Sequence, residues 1–242
     1  HLLLLNALEN AEVVEAFEQE RAAHPHHTLV LSIENAFFDR PDSAVKALGS
    51  YLGDDTIEVC AVLRPQFDWL RSRYVENVLS GFSIRTDNFD HFVQDTMRQG
   101  VLDYYARLRH VAKLLGAAKA WAIPFTSDRG PLVTRFMQAA DLPVTDPDAA
   151  ASQHSNMREK SWLLVETKRR LNAICGGISL PLRLEIERDF RKLHASYAAS
   201  SPEPAFCPKI SLPAGQIARL ERANRSLLSG DVMTQNLGLW CM

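Results

Sequence analysis

Three polar residues in this sequence have the types and positions expected of side chains that bind a ligand or take part in catalysis. Arg64 directly follows the apolar run 56–63, and Glu34 directly follows the apolar run 28–33. Ser72 comes eight residues after Arg64. An arginine keeps its charge and can donate two N–H groups to one phosphate, and a serine hydroxyl can add a further hydrogen bond. The spacing indicates an anion site at Arg64 and Ser72. The alternative is a structural ion pair at Arg64 and a solvated helix face at Ser72.

The elements that position these residues follow from hydrophobic periodicity. Short, nearly unbroken apolar runs rich in β-branched residues are typical of strands buried on both faces, and they predict strands at 28–33, 56–63 and 119–124. Apolar residues at three- and four-residue intervals predict the helices 2–23, 43–51, 65–80, 90–99, 102–115, 132–140, 159–174, 180–198 and 213–228. This alternation predicts an α/β fold, with a parallel sheet flanked by helices and a helix-rich C-terminal half. The length favours one domain over residues 1–242.

Local signals predict where some helices begin and end. Pro65 is favoured at the first helical position of 65–80, and Gly81 is favoured just after its end. Gly116 ends the helix 102–115 in the same way.

Ligands of open parallel sheets bind at the carboxyl ends of the strands. This rule predicts that Arg64 and Glu34 lie at one edge of the sheet, with Ser72 about two helical turns away. Burial there would raise the pKa of the Glu34 carboxyl, as a general base requires. The alternative for Glu34 is a local cap or an ion pair with an arginine.

The segment around Arg64 resembles the 3′-phosphate-binding segment of sulfotransferases that use 3′-phosphoadenosine 5′-phosphosulfate (PAPS). Residues 62–74 read VLRPQFDWLRSRY, and in that family a strand ends in Arg with a Ser eight residues later. Similarity to the bacterial branch of the same superfamily continues in residues 78–83, 89–92, 102–108, 115–116 and 120–125. The similarity runs over about 28–172.

The resemblance implies a P-loop-kinase-like sulfotransferase fold and transfer of a sulfuryl group from PAPS. The acceptor would be a hydroxyl or amine of a carbohydrate or small metabolite, and no metal would be needed. Arg64 and Ser72 would hold the 3′-phosphate of the nucleotide. Glu34 occupies the position of the family's base, within Ser32-Ile33-Glu34, and would take the acceptor's proton.

A later stretch also resembles these proteins. Residues 154–156 read HSN and residues 168–172 read KRRLN, as in a loop and helix of the bacterial members. The roles of Asn156, Arg169 and Arg170 stay open between ligand contact and structure. Ser155 or Asn156 is equally suited to cap the helix that follows.

The family's N-terminal loop, which binds the 5′-phosphosulfate, has no counterpart in this sequence. Residues before 28 contain no glycine, and no G-x-x-x-x-G-K motif occurs. Three explanations stay open: a portion of a longer enzyme, a catalytically degenerate domain that binds a nucleotide or glycan, or a scaffold domain. The first is favoured because the sequence starts abruptly at His1.

Composition limits the partners and the compartment. The 27 Lys and Arg residues nearly balance 29 Asp and Glu residues, which gives no general attraction for nucleic acid or an anionic membrane. No apolar run is long enough to span a bilayer. The four cysteines form no C-x-x-C pair, so we expect neither a disulfide framework nor a metal site, and a cytoplasmic protein.

Overall fold

The structure is a computed structural model and describes residues 11–24, 28, 30–31, 42–53, 55–80, 84–125, 129–143, 161–200 and 204–229. The described elements, in chain order, are α1 (Ala11–Ala23), α2 (Asp42–Leu52), β1 (Glu58–Leu63), α3 (Gln66–Leu79), α4 (Phe89–Arg98), α5 (Tyr104–Leu115), β2 (Lys119–Pro124), α6 (Arg129–Ala139), α7 (Trp162–Ile174), a 3₁₀ turn (Cys175–Gly177), α8 (Leu180–Ser200) and α9 (Ala214–Ser229).

The architecture is α/β and mostly helical. Strands β1 and β2 pair in parallel to form a two-stranded sheet flanked by helices. These two strands fall where the apolar runs 56–63 and 119–124 predict them, and the chain after β2 is rich in helix. The predicted strand 28–33 lies mostly outside the described residues.

The ends of the helices test the local sequence signals. Gly116 ends α5 with φ 66°, in the left-handed region that glycine enters without strain, as predicted. The prediction for Pro65 was wrong by one position, since Pro65 is the N-cap of α3 and Gln66 begins the helix. The N-cap of α7 is Ser161, whose hydroxyl accepts from the Leu164 amide, and the predicted caps Ser155 and Asn156 lie outside the described residues.

The chain divides into two compact units. The first comprises the described parts of His1–Leu63, Asp103–Ile123 and Glu221–Gly238, and the second comprises those of Arg64–Leu102 and Pro124–Leu220. The single domain over 1–242 stays a prediction.

In the first unit, α2 and α5 pack closely because a glycine lies between them. A Cβ atom on Gly49 would lie 2.9 Å from the Leu114 carbonyl oxygen and 2.9 Å from the Leu115 α-carbon. Contact this close requires a residue without a side chain. Gly49 therefore sets the separation of the two helices.

In the second unit, α3 supplies the centre of an aromatic and aliphatic core. Tyr74 is 2% exposed, and its ring lies 5.2 Å from that of Phe89 and 5.6 Å from that of Phe206 between centroids. The buried members of this core are Leu70, Tyr74, Val78, Phe89, Phe92, Val93, Met97, Leu102, Val165 and Leu220. One face of α3 is thus fixed by packing, which holds its opposite, more exposed face in place.

Candidate nucleotide-binding site

Arg64 and Ser72 are brought together by the start of α3. Arg64 directly follows β1, and Pro65 has the extended backbone angles φ −49° and ψ 135° before the helix begins. The Arg64 Nη1 atom donates a hydrogen bond to Ser72 Oγ over 3.2 Å. Because Oγ accepts this bond, the hydroxyl proton of Ser72 can be donated to a ligand.

Phe125 covers one face of the Arg64 guanidinium. The Arg64 Cζ atom lies 4.2 Å from the centroid of the Phe125 ring, a cation–π distance. Phe125 directly follows β2, as Arg64 directly follows β1, and the two strands are paired. Sequence reasoning assigned Phe125 no role. Its position after the neighbouring strand is the signal that would have found it.

The charge of Arg64 is not paired with a carboxylate among the described residues, where its polar contact is Ser72. Two arginines of α3 differ from Arg64 in this respect: Arg71 lies 3.3 Å from Asp68 and Arg73 lies 3.1 Å from Glu76. A guanidinium held by a ring and a hydroxyl keeps N–H groups available for an anion. Such a site can bind a phosphate, a sulfate or a carboxylate.

Arg169 and Arg170 are instead held by one carboxylate of α7. Arg169 donates to both oxygens of Glu166, and Arg170 Nε donates to Glu166 Oε1 over 3.1 Å. The hydrogen bond from Arg169 is the main cause that lowers the pKa of Glu166, and the same bond raises the pKa of Arg169. Arg169 also donates to the Thr86 carbonyl over 2.8 Å. The structure thus gives both arginines structural partners.

Asn172, at the end of the KRRLN stretch, is a buried structural residue. It is 1% exposed, and its Nδ2 atom donates to the carbonyls of Val78 and Arg85, each over 3.0 Å. Its Oδ1 atom accepts from Lys168 Nζ over 2.6 Å. Every hydrogen-bonding group of the Asn172 amide is therefore directed at a protein group.

Lys168 is a buried amine beside one carboxylate. It is 3% exposed, and its Nζ lies 3.7 Å from Glu187 Oε2. Burial is the largest cause that lowers the pKa of Lys168, and the nearby Glu187 charge opposes the effect. Glu187 Oε1 also accepts two hydrogen bonds from Arg191.

The link between α3 and α4 is held through its carbonyl groups. Besides the two bonds from Asn172, Arg191 Nη2 donates to the Leu79 carbonyl over 2.9 Å and Tyr74 Oη donates to the Asp87 carbonyl over 2.9 Å. We call the side chains of Tyr74, Arg169, Asn172 and Arg191 the carbonyl clamp. It anchors the C-terminal end of the helix that carries Ser72.

Other predicted residues fall outside this site or outside the described residues. Glu34 and Asn156 lie outside the described residues, so their roles stay predictions. His24 is exposed, and its Nε2 lies 3.5 Å from Glu20 Oε1. Within the described ranges there is no cluster of three or more His, Cys, Asp or Glu side chains suited to a metal ion. No described helix is both long and apolar enough to cross a membrane.

A scan against protein-family profiles, a search of curated proteins and a search of solved structures found no match. The resemblance to bacterial sulfotransferases therefore stays a prediction based on the residues quoted above.

Proposed function

We propose that this chain binds PAPS and belongs to a sulfotransferase with a P-loop-kinase-like fold. Arg64 and Ser72 hold the 3′-phosphate of the nucleotide, and the acceptor is a hydroxyl or amine of a carbohydrate or small metabolite. The observation that carries the proposal is the Arg64 guanidinium. It contacts Ser72 Oγ and the Phe125 ring, and no described carboxylate neutralises it.

The arrangement suits a terminal phosphate for two physical reasons. A guanidinium in contact with a ring and a hydroxyl loses less conformational freedom when a ligand arrives than a free side chain would. A phosphate also offers several oxygens, so the guanidinium and the Ser72 hydroxyl can bind it together. A charged hydrogen bond of this kind contributes about 2 kcal/mol, which is about thirtyfold in affinity.

In this proposal Glu34 is the general base. It accepts the proton of the acceptor hydroxyl or amine as the acceptor oxygen or nitrogen bonds to the sulfur of PAPS. The bond from that sulfur to the bridging phosphate oxygen breaks, and 3′-phosphoadenosine 5′-phosphate leaves. The protein contributes mainly by positioning the reactants and stabilising charge, by analogy with phosphoryl transfer.

Binding is tested by calorimetric titration of two nucleotides that differ by one group. We expect 3′-phosphoadenosine 5′-phosphate to bind the wild type, and Arg64→Gln to weaken that binding by about thirtyfold. Adenosine 5′-phosphate lacks the 3′-phosphate, so its affinity should not change with Arg64→Gln. Arg98→Gln is the matched control, because Arg98 lies on the same unit, is 73% exposed and pairs with Asp95.

Equal weakening of both nucleotides by Arg64→Gln would place Arg64 away from the 3′-phosphate. Absence of binding by the wild-type chain would favour the scaffold alternative.

Transfer is tested with PAPS labelled in its sulfuryl group and a panel of carbohydrate and small-molecule acceptors. Glu34→Gln should abolish transfer and leave the affinity for 3′-phosphoadenosine 5′-phosphate nearly unchanged. Loss of both would make Glu34 structural. Nucleotide binding by the wild type without transfer would favour the degenerate binding domain.

A further inference from the structure

Ser161 and His194 form a pair in the second unit that the proposed function does not use. Ser161 Oγ lies 3.2 Å from His194 Nε2, and both side chains are only partly exposed. Ser161 precedes α7 and His194 lies on α8, so the pair joins two helices that are separated in the sequence. A hydroxyl within hydrogen-bond distance of an imidazole is the arrangement that activates a serine nucleophile.

The hydrogen bonds at Ser161 determine where its proton goes. Ser161 Oγ already accepts a hydrogen bond from the Leu164 amide over 3.0 Å. A hydroxyl has one proton, and the imidazole nitrogen facing it can accept that proton when the other ring nitrogen carries the hydrogen. In that tautomer of His194, the O–H bond of Ser161 is directed at Nε2, as a nucleophile and its base require. The Leu164 amide would also stabilise negative charge on Oγ.

The surroundings fix the pair and suggest the kind of substrate. The Trp162 amide donates to the Pro204 carbonyl over 3.0 Å, and Ser161 forms a β-bridge with Ala205, so the backbone at the hydroxyl is held. Four large apolar side chains close to the pair in the sequence are exposed: Trp162 by 48%, Leu163 by 40%, Leu193 by 72% and Tyr197 by 50%. Exposed apolar groups on the residues next to a reactive pair in the sequence favour a ligand with an apolar chain.

We infer that Ser161 and His194 are a nucleophile and general base that cleave esters of apolar acyl groups, an activity independent of PAPS. Ser161 Oγ bonds to the carbonyl carbon of the ester as its proton passes to His194 Nε2. The bond to the alcohol oxygen then breaks, and the alcohol leaves with that proton. Water attacks the acyl-serine, gives its proton to His194, and releases the carboxylic acid while Ser161 recovers its proton.

The test is labelling of the full chain with an alkyl fluorophosphonate, followed by peptide mass mapping. We expect one adduct, on Ser161. Ser161→Asn should abolish it while keeping the helix cap, since asparagine is also a favoured N-cap. His194→Gln should slow labelling at least tenfold, because a positioned base contributes about 10²-fold or more. Ser196→Ala on the same helix is the control and should label as the wild type does, because Ser196 Oγ donates to the Lys192 carbonyl.

Hydrolysis of p-nitrophenyl esters tests the substrate class. The octanoate should be cleaved with a higher kcat/KM than the acetate. No adduct on the wild-type chain, or an adduct on another serine, would overturn the proposal. Equal labelling of wild type and His194→Gln would reject the base, and faster cleavage of the acetate would reject the apolar acyl class.

Discussion

Replacement of Asn172 by leucine tests how much the carbonyl clamp contributes to stability. Leucine has the same number and branching of side-chain heavy atoms as asparagine and suits a helix, so the main change is the loss of three hydrogen bonds. The carbonyls of Val78 and Arg85 lose a donor, and the Lys168 amine loses its acceptor. Each neutral bond contributes about 1 kcal/mol, and a bond to a charged group about 2 kcal/mol. We therefore expect Asn172→Leu to lower the free energy of unfolding by about 4 kcal/mol.

The assay is urea unfolding followed by far-ultraviolet circular dichroism. Thr167→Leu is the matched control, because it introduces the same side chain at an exposed position of α7 and should change stability by less than about 0.5 kcal/mol. A loss below about 1 kcal/mol for Asn172→Leu would refute the reasoning, since it would mean that the three groups find other partners at little cost.

A second substitution, at Lys168, separates the contributions of Asn172 and Lys168 to the free energy of unfolding. Lys168→Met removes the amine that Asn172→Leu leaves without an acceptor, so the double variant should be more stable than Asn172→Leu alone. Additive losses in the double-mutant cycle would show that the two side chains do not act together.

Three further predictions concern other residues. Gly49→Ala should destabilise the protein by about 1–3 kcal/mol in urea unfolding, because the new Cβ atom would press on the backbone of α5. Gly215→Ala is the control and should not destabilise the protein, because a Cβ atom at that position would meet open space. The hydrogen bond from Arg169 lowers the pKa of Glu166 in the folded state. The ion pairs of Glu166 therefore stabilise the protein fully at pH values above its ordinary pKa of 4.5, and this stabilisation is lost as the pH falls through the lower folded pKa. Glu166→Gln should therefore reduce the difference in unfolding free energy between pH 6 and pH 3, and an unchanged difference would contradict this. Burial raises the pKa of Cys60 to about 12, so at pH 8 iodoacetamide should modify the exposed Cys207 before Cys60. Mass mapping of the alkylated peptides measures the order, and faster modification of Cys60 would contradict this.

The sequence was most informative where the structure depends on neighbours along the chain. Arg64 and Ser72 meet because a strand end and two helical turns fix their separation, and the same local geometry ends α5 at Gly116. Phe125 was missed because its contact with Arg64 depends on the pairing of β1 with β2. The two carbonyl groups that Asn172 binds lie 94 and 87 residues away, so no local pattern could distinguish this buried amide from a ligand contact.

The cap of α7 shows a further limit of local reasoning. Ser155, Asn156 and Ser161 all have side chains that can cap a helix. Ser161 is the cap in the structure. It forms a β-bridge with Ala205, beyond α8, and the amide of the next residue, Trp162, donates to the Pro204 carbonyl. The position of Ser161 therefore rests on contacts that the periodicity of α7 does not contain.

The carbonyl clamp also affects how this part of the chain would behave in hydrogen exchange. Its side chains bind the carbonyl oxygens of Arg85, Thr86 and Asp87 and leave the amide hydrogens of these residues out of the bonds. Amide exchange is slowed when the N–H group itself is bonded, so these bonds fix the path of the backbone without protecting its amides. Rapid deuterium uptake at residues 85–87 would then accompany a fixed backbone. Carbonyl stretching frequencies, which shift when the oxygen accepts a hydrogen bond, would report the order that exchange does not detect.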